Sequence, residues 1–276
     1  MKSRAKGLSP VGHVLRDWRR VRGKSQLSLA HDADVSARHL SFIETGRSQP
    51  SRRMLLTLAR TLEMPLRGQN SLLEAAGYAR LYAESQLDDH ELAQVRGVLE
   101  FLLRRHEPYS AVALDRCWNV LLSNRPFDLT VARLVDLDSI FGDAGVNLMK
   151  LLFHPDGLRR SIANMDQVGP IMLNRIRGEI RRSGGPDPLE ALLDELLEYP
   201  GIPALWTMPD PSVADTVVIS VHLVMDGEDL RFLSAITTLG TPQDITLQEL
   251  SIETFLPADD ATDRFMHRVG AEMPAS

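Results

Sequence analysis

Apolar side chains recur at helical spacing through the N-terminal part of the chain. Val11, Val14, Leu15, Trp18 and Val21 follow i, i+3, i+4 intervals, which predicts a helix over Pro10–Arg22. Pro10 suits the first turn and Gly23 the C-terminal stop. Ser25 is a good N-cap for a second helix carrying Leu27, Leu29, Ala30 and Ala33. A tight turn at Asp34-Val35 follows, and Ser36 caps a third helix, Ala37–Thr45, ended by Gly46. Ser51 caps a fourth helix, Arg52–Leu62, with Pro65 beyond its end. A fifth covers about Gln69 to Ala76 and stops at Gly77.

The second and third helices have a specific register. Two helices packed steeply across a short turn need a small residue where they touch and apolar residues at fixed inward positions. Counted from Gln26, Leu29, Ala33, Val35, Leu40 and Ile43 fall inward, and Ala30 occupies the point of close contact. The turn wants a left-handed backbone. Asp34 stands there rather than glycine, and aspartate tolerates that region better than most residues. Ala37, Arg38, Ser41 and Phe42 are left on the outward face of the third helix.

The pattern changes in the rest of the chain. Leu92, Val95, Val98, Leu99 and Leu102 predict an amphipathic connecting helix ending near His106, before Pro108. The period then shortens. Strands are predicted over Tyr109–Leu114 and Trp118–Leu122, joined at Asp115-Arg116. Helical segments follow at about 126–135, 145–153, 157–163, 168–183 and 187–197, with a break at Gly184-Gly185-Pro186. Three strands come last: Val217–Met225, Leu230–Leu239 and Glu249–Leu256, the first two joined by a hairpin turn at Asp226-Gly227-Glu228. Two strands, several helices and three strands is the order of a PAS-like fold, in which an antiparallel sheet packs one face on helices and can hold a small ligand between. The expected fold class is multidomain, α and α+β. An N-terminal five-helix helix-turn-helix bundle (1–80) leads through a connecting helix (81–107) to a PAS-like antiparallel sheet packed with helices (108–276).

Charge sharpens this division. The chain carries a net charge of −6, which looks wrong for a nucleic-acid binder. The average conceals a basic segment over 1–80, at +9, and an acidic remainder, at −15. A basic domain tracks phosphates while an acidic one is repelled by them. Cys117 is the chain's 1 cysteine, so no intrachain disulfide can form. Beside Trp118 it is read as an inert, half-buried thiol, with a redox sensor as the alternative, and His222 as a strand histidine without a ligand role. The N-terminus has no apolar leader core and no segment is apolar enough to span a membrane, so a cytoplasmic protein without membrane association is expected.

The stretch QLSLAHDADVSARHLSFIETGRSQPS resembles the Cro/CI-repressor-like (XRE) helix-turn-helix family, in apolar pattern, caps and the closing Glu44-Thr45-Gly46. The resemblance implies sequence-specific binding of double-stranded DNA, with the third helix and its cap Ser36 at the major groove. Arg38 is then the candidate for direct readout, because a guanidinium bonds guanine O6 and N7 together. Ala37 and Phe42 offer apolar contact, for instance to a thymine methyl, beside Ser41. Ser25 and Gln26 would clamp a phosphate at the start of the second helix, and Arg47, Arg52 and Arg53 would add phosphate contacts. Arg19 and Glu44 match a pair that forms a structural salt bridge in related repressors. A domain of this size reads few base pairs, so a homodimer on a palindromic operator is expected.

The pieces WNVLLSNRPF (118–127), NLMKLLF (147–153) and LRFLSAITTLGTPQDITLQELSIETFLPAD (230–259), with SNR (123–125) and TPQD (241–244), resemble the MmyB-like regulators. Those carry a PAS-like ligand-binding domain behind an XRE helix-turn-helix. The resemblance implies a transcription regulator with a pocket for a fatty acid or similar apolar small molecule, and links to metabolic genes, including those of short-chain dehydrogenases. Candidate wall residues are Trp118, Met149, Phe153, Ile171, Met172, Ile176 and Trp206, which are apolar and lie on elements that would face the sheet. The same stripe is also what a plain core requires. Arg125 and Arg175 are candidates to pair a ligand carboxylate, or to sit in exposed ion pairs.

Enzyme signatures are missing. There is no Gly-x-Ser-x-Gly, no His-Glu-x-x-His and no phosphate-cradling glycine loop, and the 8 histidines are scattered. Neither catalytic residues nor a metal are expected, and no cofactor beyond the apolar ligand. The alternative is a DNA-binding regulator whose C-terminal domain serves only for dimerisation or protein docking.

Overall fold

The computed structural model describes residues 9–271 apart from 88, 184, 186, 210–217 and 241–242. Val217, Gly184, Pro186 and the Thr241-Pro242 half of TPQD lie outside the described residues. The chain forms two compact units. One gathers 1–84, 179–187 and 241–248, and the other 85–178, 188–240 and 249–276. The first unit therefore includes segments far away in sequence.

Its helices are α1 (Pro10–Val21), α2 (Gln26–Asp32), α3 (Ala37–Glu44), α4 (Arg52–Thr61) and α5 (Leu66–Ala75). Each of the first four starts on a serine. Ser9, Ser25, Ser36 and Ser51 accept from the amides of Gly12, Ser28, His39 and Met54 at 3.0–3.2 Å, satisfying donors that the helix itself leaves open. Asp34 takes the left-handed conformation expected of it, with φ of +53°. Leu29, Ala30, Ala33, Leu40 and Ile43 are buried with Leu15, Trp18, Leu55 and Leu72, and Val35 packs at the edge. Leu27 differs from the other apolar residues of α2: it is 71% exposed.

α5 begins earlier than its sequence predicts. Pro65 offers no side-chain cap, but the Leu66 amide donates to Gln248 Oε1 at 2.7 Å. Ile245, 1% exposed, donates its amide to Ala83 O at 2.9 Å in the same unit. A cap supplied from so far along the chain has no local signature. A second close approach has the same character. A Cβ on Gly12 of α1 would lie 1.9 Å from the Glu44 carbonyl oxygen of α3.

The second unit contains α6 (Ala93–Arg105), β1 (Ala111–Leu114), β2 (Val120–Ser123), α7 (Arg125–Leu134), α8 (Leu137–Phe141), α9 (Leu148–Phe153), most of α10 (Met165–Arg182), α11 (Pro188–Glu198), β3 (Val218–Met225), β4 (Glu228–Thr238), β5 (Ser251–Pro257) and α13 (Asp260–Ala271), whereas α12 (Ile245–Glu249), which precedes β5 in the chain, lies in the first unit up to Gln248. The five strands form one antiparallel sheet in the order β2-β1-β5-β4-β3. Asp226 and Gly227, at φ of +53° and +80°, make the two-residue turn whose twist suits a hairpin. Met225 pairs with Glu228, so Glu228 opens β4 rather than sitting in the turn. Glu249 similarly closes α12 instead of starting β5. The helix expected at 157–163 is a short 3₁₀ turn, Leu158–Ser161. α13 was not anticipated, although Thr262, Phe265, Met266 and Val269 are buried at helical spacing. No helix among the described residues is long and apolar enough to cross a membrane.

Candidate functional site

α3 buries Leu40, Ile43 and Glu44 and turns its other side outward. Arg38 is exposed there, and Ser41 and Phe42 are half-buried. The Arg38 guanidinium carbon lies 5.3 Å from the Phe42 ring centroid, and that of Arg47 lies 5.9 Å from the same ring. The ring thus gathers two cations on the outward face, a role that an apolar base contact alone does not describe. Ala37 packs against the rim of the core. Arg52 and Arg53 open α4, both exposed, at a helix end whose free amides favour anions. Ser25 and Ser36 are exposed, with their hydroxyls engaged as caps.

Glu44 organises the interior behind this face. Its fully buried carboxylate receives Arg19 Nε at 3.0 Å and Gln26 Nε2 at 2.6 Å, and Arg16 Nε lies 3.7 Å away. The Arg19–Glu44 pair is therefore scaffold. Gln26, expected at a phosphate, has its amide drawn to the same carboxylate. Holding α1, α2 and α3 through one buried anion fixes the pose of α3.

In the second unit a cavity lies between the sheet and the helices, about 790 Å³ with its open mouth counted in. α7 contributes Phe127, Thr130 and Val131, α9 Leu148 and Leu152, and α10 Val168 and Met172. The sheet contributes Ile219, Val221 and Leu223 from β3, Phe232 and Ser234 from β4, and Glu253 and Phe255 from β5.

Of the wall residues expected from sequence, Met172 lines this space. Trp118, Met149, Phe153 and Ile176 are buried elsewhere in the core. Ile171 and Trp206 are half-buried outside the wall. Trp206 meets Phe153 edge-on at 6.4 Å and stands over Gly169, where a Cβ would be 2.5 Å from its ring. α10 thus has two apolar sides, and periodicity alone does not say which one faces the ligand space. Arg125 opens α7 beside a separate polar hollow with Glu107 and Asn124. Arg175 is half-buried on α10, and neither arginine lines the cavity.

The cavity's polar lining consists of Ser110, Thr130, Ser234 and Glu253. Glu253 is 3% exposed. Ser234 Oγ donates to its Oε1. Glu253 Oε2 and Thr130 Oγ1 are buried without a hydrogen-bond partner among the described residues. Burial pushes the Glu253 carboxyl above its ordinary value, opposed by the Ser234 hydrogen bond and the Arg175 charge. These residues escaped sequence reasoning. The signal was the alternation of Leu230, Phe232 and Ser234, which aims a polar residue inward; Glu253 needs the β4–β5 register to show its side.

The first unit is a helix-turn-helix whose α3 is held by a buried ionic knot, and the second is a sheet-and-helix unit around an apolar cavity, the make-up of a helix-turn-helix regulator with a ligand-binding domain. The chain belongs to the MmyB-like transcription regulators. Residues 95–269 match the MmyB-like transcription regulator ligand binding domain, and residues 10–69 match a helix-turn-helix domain. Neither is an enzyme family. No curated protein matches the chain. Among solved structures it is similar to one described as an RNA-binding Light-Oxygen-Voltage receptor, at 12% identity and a TM-score of 0.25. That match takes in 96% of this chain, which spans 63% of the receptor chain.

Proposed function

We propose that the protein binds a two-fold-symmetric operator in double-stranded DNA as a homodimer, and that a small apolar molecule with a fatty-acid-like chain sets its operator affinity from within the cavity. The observation that carries this reading is the apolar space enclosed by α7, α9, α10 and the sheet. A ligand shifts such a protein only through a difference in affinity between two states. Chain connectivity offers a route. β4 and β5, which carry Phe232, Ser234, Glu253 and Phe255, are joined through 243–248, and that segment caps α5 of the helical unit through Gln248. Arg38, with Ser41 and Phe42 beside it, reads base edges, and Arg47, Arg52 and Arg53 hold phosphates with the capped starts of α2 and α3.

The second copy is assigned to α6. Val98, Phe101 and Leu102 form an exposed apolar stripe at i, i+3, i+4 spacing, 54%, 49% and 44% accessible. Native mass spectrometry of the full chain purified without added ligand tests the whole reading. A dimer mass with a retained small molecule is expected, and extraction of that molecule is expected to change operator affinity several-fold. A monomer without adduct, whose DNA binding is indifferent to extraction, overturns it.

A further inference from the structure

A carboxyl group is an odd fixture in a wall built of Phe127, Val131, Ile219 and Phe232. Glu253 is almost fully buried there, with Oε1 engaged by Ser234 and Oε2 unengaged among the described residues. Thr130, on α7 across the same cavity, leaves its hydroxyl in the same condition. Buried polar atoms without partners are costly, and two in one cavity mark where a bound molecule would supply the missing bonds. From these two atoms we propose that the cavity selects an apolar molecule bearing a neutral hydrogen-bonding oxygen, a hydroxyl or a carbonyl, which pairs with Glu253 and is seconded by Thr130. The proposal rests on the reading of the cavity as a ligand site.

The chemistry follows from the surroundings of the acid. Burial in an apolar wall disfavours the charged carboxylate relative to the neutral acid, which is the direction in which its pKa is displaced. The charged group acting on it is Arg175 on α10, which opposes but does not reverse that displacement. A neutral acid donates from the oxygen that Ser234 leaves open. The partner it wants is an acceptor. A ketone oxygen accepts from Glu253, and an alcohol accepts there and can donate to Thr130. A carboxylate must give up its hydration on entering the apolar space, an amine requires Glu253 to ionise, and a hydrocarbon leaves both protein atoms unsatisfied.

Competition on the full-length protein tests this. The neutral fluorophore N-phenyl-1-naphthylamine reports cavity occupancy, and 1-octanol, 2-octanone, octane, octanoate and octylamine compete at pH 7.5. Octanol and octanone are expected to bind about tenfold more tightly than the other three, the scale of one satisfied buried hydrogen bond. Glu253→Leu and Thr130→Val are expected to shrink that preference, and Glu253→Gln to retain it. The ranking on the unaltered protein decides the matter even if Glu253→Leu does not fold. If none of the five displaces the fluorophore, the ligand-site reading falls and the proposal falls with it. If they displace it but octanoate, octylamine or octane competes best, the cavity stands as a ligand site and the proposal alone is overturned.

Discussion

The Arg38 guanidinium sits over the Phe42 ring, one helical turn further along α3. An arginine side chain has many rotamers, and the ring narrows them, so less entropy would be lost in the proposed base contact. Arg38→Ala is expected to weaken specific binding by about 1–3 kcal/mol and to relax preference at one base position. Phe42→Ala is expected to act at that same position, by about 0.5–1 kcal/mol. Fluorescence anisotropy against single-base operator variants checks both. Unchanged discrimination in Arg38→Ala would move the readout elsewhere.

Arg52 stands exposed at the first turn of α4. In its proposed role as a phosphate contact it carries no base information. Arg52→Ala is therefore expected to weaken all sequences alike, and to reduce the slope of log K against log salt by about 0.9. A sequence-dependent loss would argue for base contact.

Gly12 has no room for a side chain, because a Cβ would meet the Glu44 carbonyl oxygen at 1.9 Å. Gly12→Ala must push α1 from α3. The expected loss is about 2–3 kcal/mol, read as a lower urea midpoint with little change in slope. Gly23 is the contrast. Nothing lies within 4 Å of a Cβ there, but φ is +62°. Gly23→Ala is expected to cost about 1 kcal/mol from backbone strain alone.

Glu253 makes stability depend on pH in a definite direction. Its folded pKa is raised above the ordinary 4.5. The folded state therefore holds this proton more tightly than the unfolded chain, and stability falls as pH rises from 4.5 towards the raised value, then levels. Glu253→Gln, neutral throughout, is expected to flatten that fall. Urea midpoints of the two proteins between pH 5 and pH 8 make the comparison; parallel curves would show that Glu253 does not titrate in this way.

The stripe on α6 is open to direct attack. Phe101→Glu would place a charge in the proposed dimer contact, and is expected to leave a monomer in sedimentation velocity and to weaken operator binding while each helix-turn-helix stays folded. A dimer unaffected by Phe101→Glu and Leu102→Glu together would locate the interface elsewhere.

Most of the helical unit was legible because its signals are local. A serine cap, an apolar residue every third or fourth position and a left-handed Asp34 each act over a single turn. Strand order was legible in outline, from alternation and from the Asp226-Gly227 turn. The cavity wall was not. Val168 and Met172 face it while Trp206 packs over Gly169 of the same helix, and both sides of α10 read as apolar.

By itself the sequence determined a serine-capped helix-turn-helix with Arg38 on its outward face, a basic N-terminal segment followed by an acidic remainder, and the strand–helix–strand order of the second unit. Tertiary structure alone decided that Glu253 faces an apolar cavity, that Phe42 holds Arg38 and Arg47 together, and that Gln248 caps α5. The physical reason is range. Caps and periodicities are satisfied by near neighbours, whereas the side on which a strand residue is buried, or the donor that completes a helix end, depends on partners that only the folded chain brings close.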